Sequence, residues 1–458
     1  MTRQVANPNE INRLVKNLKR NARNYQGDPS SLVELHRRLS NPDERRIIVD
    51  RLAEETGYPK ALIDNICFAP FSWDLNFFLN ANPKTLKRGI NEYPFGYIFV
   101  ESELPKRQKN TPSLITHIGF GNLPGFGPLS FLTGIMIYQL SGEIPAQIYK
   151  LSSQERYFIP YYLSELEKID PQLASVLSVV YWKGGDSRIE RIIYRQSDVI
   201  IPYGSSETIK SVVKAARPWW SLRKPFIITN HGTKIGRGFH EGEFTEDDAF
   251  LYAFDASVFF GVSCFNLKIL YVEGDEKTAV KVAEKINTKL ELFSQKFGNI
   301  QNSLWSSSIG YDIDIFWRKL VENQQKIYRS NYGFITFYPG YIAPPDKGII
   351  VGIIPVNSRS ELIDTLNRLP EDDKQTFVTN VTDLDFLEKL ARVGFNRICM
   401  PGDAPYPKPG PHDGTIDAYE ILYGPCPRMV MIELQNSSYE AYRFNKTNRL
   451  RRDFNLYI

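Results

Sequence analysis

The sequence predicts an α/β fold of two doubly wound αβ domains, with a helical segment before them and an irregular tail after them. The chain has 458 residues and 42% hydrophobic content, which is enough for two or three cores. From about residue 146 to residue 402, short apolar runs typical of buried strands alternate with longer amphipathic segments. Parallel strands that alternate with helices in this way favour a doubly wound sheet.

The first ninety or so residues predict helices rather than strands. The stretches "NPNEINRLVKNLKRN", "DPSSLVELHRRLS" and "NPDERRIIVDRLAEETG" each open on Asn or Asp near Pro and carry apolar residues at a spacing of three to four. Two strand-like runs follow, "GYIFVES" and "SLITHIGF", joined by the polar stretch "ELPKRQKN". This pattern predicts a hairpin or a protruding arm near residues 97–118, suited to oligomerisation.

Two αβ series come next. In the first, the strand "AQIYKLSS" precedes the helix "ERYFIPYYLSELEKI", and the strand "DVIIPYGSS" precedes the helix "ETIKSVVKAA". A strand and turn at "IITNHGTKIG" and a helix at "TEDDAFLYAFDASVFFG" lead into the second series, which begins at "LKILYVEG" and ends near "NRICMPG". We therefore expect a first domain over residues 1–230, a second over 231–430 and a tail over 431–458.

Composition limits the possible partners and location. Lysine and arginine total 56 against 52 acidic residues, so a formal charge of +4 gives no general case for binding nucleic acid or membranes. The N-terminal residues lack the apolar core of a secretory signal, and the most apolar window, "LSFLTGIMIYQL", is too short to span a bilayer. The expected location is the cytoplasm. Four scattered cysteines predict neither a disulfide framework nor a metal site.

Polar residues stand where the predicted strands end, which is where open αβ sheets bind ligands. They are Asn122 in "GFGNLPGFG", Lys150 in "YKLSS", Gly204, Ser205 and Ser206 in "YGSSE", and Cys264 in "GVSC". Each has a purely structural alternative. A glycine-serine turn commonly caps a helix, an isolated lysine is commonly a solvated charge, and a free cysteine commonly packs as a small hydrophobe.

Taken together, these elements resemble the aldehyde dehydrogenase superfamily over about residues 115–275. Members carry a catalytic cysteine with glycine three positions before it and a strand that ends in valine eight positions after it, as Gly261, Cys264 and Val272 do here. The resemblance implies that Asn122 is the oxyanion asparagine, and that Lys150, Gly204 and Ser205 bind the cofactor.

One departure points to the acylating branch of that superfamily. Members that hydrolyse their acyl-enzyme have a glutamate base in "LELGGK", whereas "ITNHGTK" places Asn230 there, and an asparagine cannot accept a proton at neutral pH. The stretches "THIGFGNLPG", "DVIIPYGSSE", "CFNLKILYVEG" and "PHDGTIDAYEIL" resemble the long-chain acyl-CoA reductases that supply aldehyde to bacterial luciferase, over about residues 95–425. Phe259-Phe260 and Phe265-Asn266 replace the usual neighbours of the family cysteine, so the acyl donor stays open.

The resemblance implies a thioacyl intermediate on Cys264, whose pKa a cationic nicotinamide or a helix end would lower. It implies no metal. His231 and His412 are candidate proton donors, with a turn-holding role as the alternative for each. Trp219 and Trp220 are candidates for the wall of an acyl tunnel, with buried packing as the alternative.

We expect NADPH as the cofactor, with NADH as the alternative. Superfamily members that prefer NAD commonly have an acid three residues after the lysine, and here that position is Ser153, so that Lys150, Ser152 and Ser153 can donate to a 2′-phosphate. Expected partners are an acyl-CoA or acyl-carrier thioester substrate, an acyl-transferring protein and further copies of the chain. Two other functions remain open: an aldehyde dehydrogenase that releases acids, and a non-catalytic subunit that holds acyl groups.

Overall fold

The structure is a computed structural model that describes residues 3–4, 8–72, 75, 85–217, 225–229, 231–232, 234–297, 315–316, 318–319, 322, 326–329, 333–337, 348–411, 413–435 and 437–456. The strands are β1 (Arg3–Gln4), β2 (Gly89–Tyr93), β3 (Gly96–Val100), β4 (Leu114–Ile118), β5 (Ala146–Lys150), β6 (Leu177–Tyr181), β7 (Val199–Pro202), β8 (Phe226–Ile227), β9 (Gly236–His240), β10 (Leu267–Glu273), β11 (Lys326–Arg329), β12 (Gly333–Phe337), β13 (Ile349–Val356), β14 (Thr376–Thr379), β15 (Arg397–Cys399) and β16 (Met429–Glu433).

The α-helices are α1 (Pro8–Arg23), α2 (Ser31–Leu39), α3 (Pro42–Thr56), α4 (Lys60–Leu62), α5 (Leu132–Ser141), α6 (Phe158–Ile169), α7 (Pro171–Ala174), α8 (Ser187–Gln196), α9 (Ser206–Ala216), α10 (Glu246–Ser257), α11 (Glu276–Phe297), α12 (Arg359–Asn367), α13 (Leu384–Val393), α14 (Asp417–Tyr423) and α15 (Tyr439–Asp453). Among the described residues, none of these helices is both long enough and apolar enough to cross a membrane.

Two sheets organise the chain, and the predicted α/β class is confirmed. The first has the strand order β1-β6-β5-β4-β7-β8 and is parallel throughout its described pairs. The second has the order β11-β12-β13-β10-β9-β14-β15-β16-β3-β2, with parallel pairing from β12 to β16 and antiparallel pairing at both ends. In its centre, Leu270 of β10 faces Ile353 of β13 in register. Burial of these apolar strands from both sides fits their near-continuous hydrophobic sequences.

The helical N-terminal segment is also confirmed. Asn41 caps α3 by accepting a hydrogen bond from the backbone N–H of Asp43, and Pro42 occupies the first turn. Gly57 ends α3 in the left-handed conformation, with φ of 74°. The chain then turns sharply through Tyr58 into α4, which brings this segment against the rest of the core.

The predicted hairpin at residues 97–118 is wrong. β3 pairs with β2 and β16 in the second sheet, whereas β4 lies between β5 and β7 in the first. The polar stretch between them is a crossing segment rather than a turn, because the Tyr419 hydroxyl donates to the carbonyl of Pro105 at 2.8 Å and Lys109 N–H donates to the carbonyl of Leu422. A role of this region in oligomerisation stays a prediction.

Two further segments differ from expectation. The strand expected within residues 227–236 is divided into the short β8 and the separate β9. The tail expected to be irregular contains α15, a helix of 15 residues with little apolar periodicity. Polar contacts hold it to the core instead: Lys446 pairs with Asp403 at 2.5 Å, and Tyr439 donates to Asp248 at 2.6 Å.

Candidate active site

A cavity of 570 Å³ is lined by residues from both sheets. Its walls include the turns that follow β4, β5 and β7, as the carboxyl-end rule predicts, together with the segment before β10 and the start of β14. Six of the residues singled out in the sequence line this cavity: Cys264, Asn122, His231, Ser152, Gly204 and Ser205. Lys150 and Ser153 do not line it. His412, Asn230, Trp219 and Trp220 lie outside the described residues.

The backbone just before Cys264 adopts an unusual conformation. Phe259, Phe260 and Gly261 have consecutive positive φ angles of 51°, 55° and 66°. For the two phenylalanines this costs about 1–3 kcal/mol each, and such a turn persists only where its surroundings enforce it. Gly261 is required for a second reason, because a β-carbon at this position would collide with the carbonyl of Gly348. We call residues 259–261 the left-handed turn.

Two buried side chains brace the left-handed turn and the cysteine after it. The Asn266 amide donates to the carbonyls of Asp255 and Val258, both at 2.9 Å, while its oxygen accepts from the backbone N–H of Ser263 at 2.8 Å. The Lys268 ammonium donates to the carbonyl of Gly261 at 2.8 Å and to that of Gly348. The polar side chain of Asn266, one of the departures from the usual neighbours of the family cysteine, therefore has a structural explanation.

Without a cofactor, the surroundings of Cys264 disfavour its thiolate form. Burial and then the negative charge of Asp413 raise the pKa of this thiol from 9.0 to about 12, although a hydrogen bond from Gln375 and the charge of Lys234 act in the opposite direction. Burial removes water from around the thiolate and the nearby carboxylate repels it, and both effects raise the pKa. The expected lowering by a cationic nicotinamide or a helix end stays a prediction. In the protein without cofactor, these surroundings favour the neutral thiol.

A chain of polar side chains leads away from Cys264. Gln375 donates to Asp413 at 2.5 Å, and the other oxygen of Asp413 accepts from Nδ1 of His231 at 2.7 Å. The Nε2 atom of His231 lies 2.9 Å from Asp417. Burial opposes a charge on His231, but the two aspartates outweigh it and raise its pKa to about 10. These aspartates therefore favour an imidazolium, in which both ring N–H groups of His231 donate to carboxylates.

Asn122 also lines the cavity and contacts the segment that carries Cys264. Its side-chain amide donates to the carbonyl of Val262 at 3.0 Å, two residues before Cys264. The amide has a second N–H, so it can donate to a bound oxygen as well. This contact ties the turn after β4 to the cysteine segment of the other sheet.

The expected cofactor residues are divided between two places. Ser205 caps α9 by accepting from the backbone N–H of Thr208 at 3.2 Å, and Gly204 before it has φ of 154°. Both line the cavity, so the N-terminus of α9 faces it with the partial positive charge that favours anions. Lys150 instead lies 5.5 Å from the ring of the buried Trp182 and donates to the carbonyl of Leu151. Ser153 is exposed.

Several residues of the site were not found from the sequence. Asp413 and Asp417 stand in the stretch "PHDGTID", which was noted for its histidine. Gln375 and Tyr58 carry no local signal, because their contacts join segments that are far apart along the chain. A search for polar residues at predicted buried strand positions would have found Lys268.

Comparisons with solved structures define the class of fold. A putative aldehyde dehydrogenase PutA from Anabaena variabilis is 15% identical, with a TM-score of 0.62 and 94% of each chain covered. An aldehyde dehydrogenase from Mycobacterium tuberculosis, solved with NAD+, is 13% identical with a TM-score of 0.61, and 92% of this chain and 86% of that chain are covered. The glyceraldehyde-3-phosphate dehydrogenase GapN from Methanocaldococcus jannaschii, solved with NADP, is 14% identical with a TM-score of 0.60 and 87% of each chain covered. The fold is aldehyde-dehydrogenase-like.

The family follows from a second comparison. The sequence model of the acyl-CoA reductase (LuxC) family matches residues 97–422, so the chain belongs to that family and is an oxidoreductase. This confirms the resemblance inferred from the motifs around Asn122, Gly204 and Cys264. No curated protein matches the chain.

Proposed function

We propose that the protein reduces a long-chain fatty acyl thioester, carried by CoA or by a protein, to the aldehyde through a thioacyl intermediate on Cys264, with NADPH as the reductant. The observation that supports this most directly is the common cavity: Cys264, Asn122 and the capped start of α9 at Gly204 and Ser205 all line it. A nucleophile, an oxyanion donor and an anion-binding helix end are the parts that thioester reduction needs.

Acylation uses the protein's own groups. The Cys264 sulfur forms a bond to the thioester carbonyl carbon as the bond to the carrier sulfur breaks, and the carrier leaves as a thiol. Asn122 and the backbone N–H of Cys264 are proposed to donate to the oxygen as it becomes negative, a contribution of about 3–4 kcal/mol per donor in comparable sites. The thiol proton must leave Cys264 during this step, because its pKa of about 12 keeps it protonated at rest.

Water activation has little support in the cavity. Among the described lining residues, the acidic side chain is that of Asp413, and it already accepts from Gln375 and His231. Asn230 stands at the sequence position of the hydrolytic base. Both observations favour an acyl-enzyme that persists until it is reduced, rather than one that is hydrolysed.

The apolar part of the cavity suits an acyl chain. Its lining includes Leu123, Phe126, Leu129, Val262 and Phe265. These side chains come from the turn after β4 and from both sides of Cys264, so an apolar chain would lie beside the reacting carbon. Burial of such a chain contributes about 0.8 kcal/mol per methylene, which favours long substrates.

A nicotinamide cofactor fits the residues present. Structural relatives were solved with NAD+ and with NADP, and the capped end of α9 can receive a pyrophosphate. When bound, the reduced nicotinamide supplies the hydride. NADPH is proposed over NADH because Ser153, three residues after Lys150 in the sequence, is neutral and exposed, and Lys150 is the residue proposed to bind the adenosine ribose.

The remaining assignments are also proposals. His231 would act through its fixed positive charge, since both of its N–H groups have carboxylate partners, and His412 stays a candidate proton donor. Three further proposals rest on the sequence reasoning given above. They are domain limits at residues 230 and 430, assembly into a homo-oligomer, and delivery of the acyl group by a partner protein.

Mass spectrometry of the protein after incubation with a panel of acyl-CoA thioesters and no cofactor tests the function. We expect a stable acyl adduct that maps to Cys264, and its release as aldehyde when NADPH is added. Cys264→Ala should form no adduct, whereas the matched Cys426→Ala variant should acylate normally. Rapid release of free acid, or an adduct on another cysteine, would contradict the proposal. Comparison of kcat/KM for NADPH and NADH decides the cofactor. Ser153→Glu should lower kcat/KM for NADPH more than for NADH, because the added carboxylate would repel a 2′-phosphate.

A further inference from the structure

The oxyanion donor and the nucleophile sit on different sheets, and one aromatic side chain contacts the segments that carry both. Asn122 follows β4 of the first sheet, and the left-handed turn precedes β10 of the second. Tyr58 comes from neither sheet. It stands in the short link between α3 and α4 of the N-terminal segment and is only 2% exposed.

The ring of Tyr58 packs on both phenylalanines of the left-handed turn. Its centroid lies 5.3 Å from that of Phe259, at an interplanar angle of 82°, and 5.5 Å from that of Phe260, at 22°. One pair is therefore edge-to-face and the other stacked, the two geometries that aromatic rings prefer. Relaxation of either phenylalanine to an ordinary φ angle would move its ring away from Tyr58 and lose this packing.

The hydroxyl of Tyr58 reaches the turn that carries Asn122. It donates to the backbone carbonyl of Asn122 at 3.4 Å, which is long for a hydrogen bond, so most of the interaction comes from the ring. A second residue of the N-terminal segment backs the same turn: a β-carbon on Gly125 would lie 3.3 Å from that of Cys67. The N-terminal segment thus supports the Asn122 turn from behind at two points.

We propose that Tyr58 is a positioning residue that holds Asn122 and Cys264 in the mutual geometry needed for acylation. The inference rests on the proposed function, in which Cys264 attacks a thioester and Asn122 donates to the oxyanion. Tyr58 lies outside residues 97–422, the part of the chain that the family match covers. The catalytic geometry of this protein accordingly depends on its own N-terminal segment.

The test compares two reactions of the same thiol. Acylation by acyl-CoA needs an oxyanion donor, whereas alkylation by iodoacetamide does not. For Tyr58→Leu we expect the single-turnover acylation rate of Cys264 to fall by about 10- to 100-fold, the loss that a displacement near 1 Å produces. The alkylation rate of the same residue should change by less than about threefold. Tyr58→Phe keeps the ring and should restore acylation to within about threefold of wild type.

A double-mutant cycle tests whether Tyr58 acts through Asn122. Since Tyr58 is proposed to act through Asn122, Tyr58→Leu should cost little further in an Asn122→Ala background. Tyr25→Leu is the matched control, because Tyr25 is also a buried tyrosine of the N-terminal segment, paired with Tyr138 at 5.4 Å and away from the cavity. It should lower the melting temperature without changing the ratio of the two rates. Should Tyr58→Leu fail to fold, Tyr58→Met, which keeps most of the buried volume, is judged by the same ratio.

Three results would overturn the proposal: wild-type acylation in Tyr58→Leu, an equal loss of acylation and alkylation, or additive effects with Asn122→Ala. Failure of the proposed function looks different, because wild-type protein would then form no acyl adduct on Cys264 at all. The wild-type measurement therefore separates the two failures.

Discussion

The neutral state of Cys264 makes a quantitative prediction about its reactivity. Without cofactor, the thiol should react slowly with iodoacetamide, and Asp413→Asn should make it react faster. Asp413 is the charged group that raises the pKa of Cys264, second only to burial, so removal of its charge should move the pKa back toward 9.0.

The magnitude follows from the size of the pKa shift. A thiol with a pKa of 9.0 is about one-tenth thiolate at pH 8, whereas one with a pKa of about 12 is thiolate in about one molecule in 10⁴. Since the thiolate is the reactive form, Cys264 should react about 10³-fold more slowly than an ordinary thiol. Removal of a nearby like charge changes a pKa by about one unit, so Asp413→Asn should accelerate alkylation about tenfold. Lys234→Met should slow it, because the charge of Lys234 favours the thiolate.

Peptide mass spectrometry after timed labelling measures these rates between about pH 6.5 and pH 9.5, where the logarithm of the rate should rise with unit slope and show no plateau. Cys426 is an internal control in every sample. Burial and the charge of Glu420 raise its pKa to about 12 as well, but Asp413 is not among the causes. Its rate should be the same in wild type and Asp413→Asn. A plateau for Cys264 below pH 9, or no acceleration relative to Cys426, would refute this account of the thiol.

The other predictions concern catalysis and stability. Asn122→Ala should lower kcat by about 10²–10³ with little change in cofactor affinity, as measured by steady-state kinetics and cofactor titration. Because its two aspartates raise the pKa of His231 from 6.5 to about 10, the stability it contributes is fully present below pH 6.5 and is lost as the pH rises through 10. The melting-temperature gap between wild type and His231→Gln should therefore narrow over that interval, and a constant gap would contradict the assigned charge. Arg397→Met leaves the buried carboxylate of Glu433, now 2.7 Å from the guanidinium, without its partner and should cost about 3–5 kcal/mol in urea denaturation. The exposed Arg392→Met should cost less than about 0.5 kcal/mol.

Elements with strong local patterns were predictable from the sequence. β10 is a largely apolar run, and α10 follows the N-cap Thr245, which forms a capping box with Asp248 in an acidic first turn. β9 was missed because it contains Arg237 and His240, which look like loop residues. Arg237 is buried and pairs with Asp373 at 2.6 Å, a partner that lies far away along the chain. Propensity cannot detect a strand whose polar residues are neutralised by tertiary contacts.

The candidate site also contains residues that the sequence predicted and features that it could not predict. Cys264, Asn122, Gly204 and Ser205 were found because short motifs carry them, and the structure brings them to one cavity. The raised pKa of Cys264 was not predictable, since it depends on burial and on Asp413 from a distant turn. Lys150 was expected beside these residues, but its alkyl chain continues away from the cavity toward Trp182. A residue type at a strand end predicts which edge of the sheet it occupies, but not the direction of a long side chain.

The segment after β8 bears on the proposed acylation, because it contributes charged residues to the cavity that holds Cys264. In hydrolysing relatives of the superfamily, the resemblance places a glutamate base here. In this chain the described part of the same segment contributes two cations that line the cavity, His231 and Lys234. A reduced nicotinamide ring carries no positive charge, so in the proposed reaction it would not stabilise the thiolate that attacks the thioester. Lys234 is the described cation that favours the thiolate, and the charge of His231 offsets that of Asp413. Asn230 stands at the position of that base, whereas Lys234 matches the lysine that ends "LELGGK". The segment therefore lacks the group that would activate water but keeps a cation whose charge favours the thiolate, as the proposed reduction of an acyl-enzyme requires.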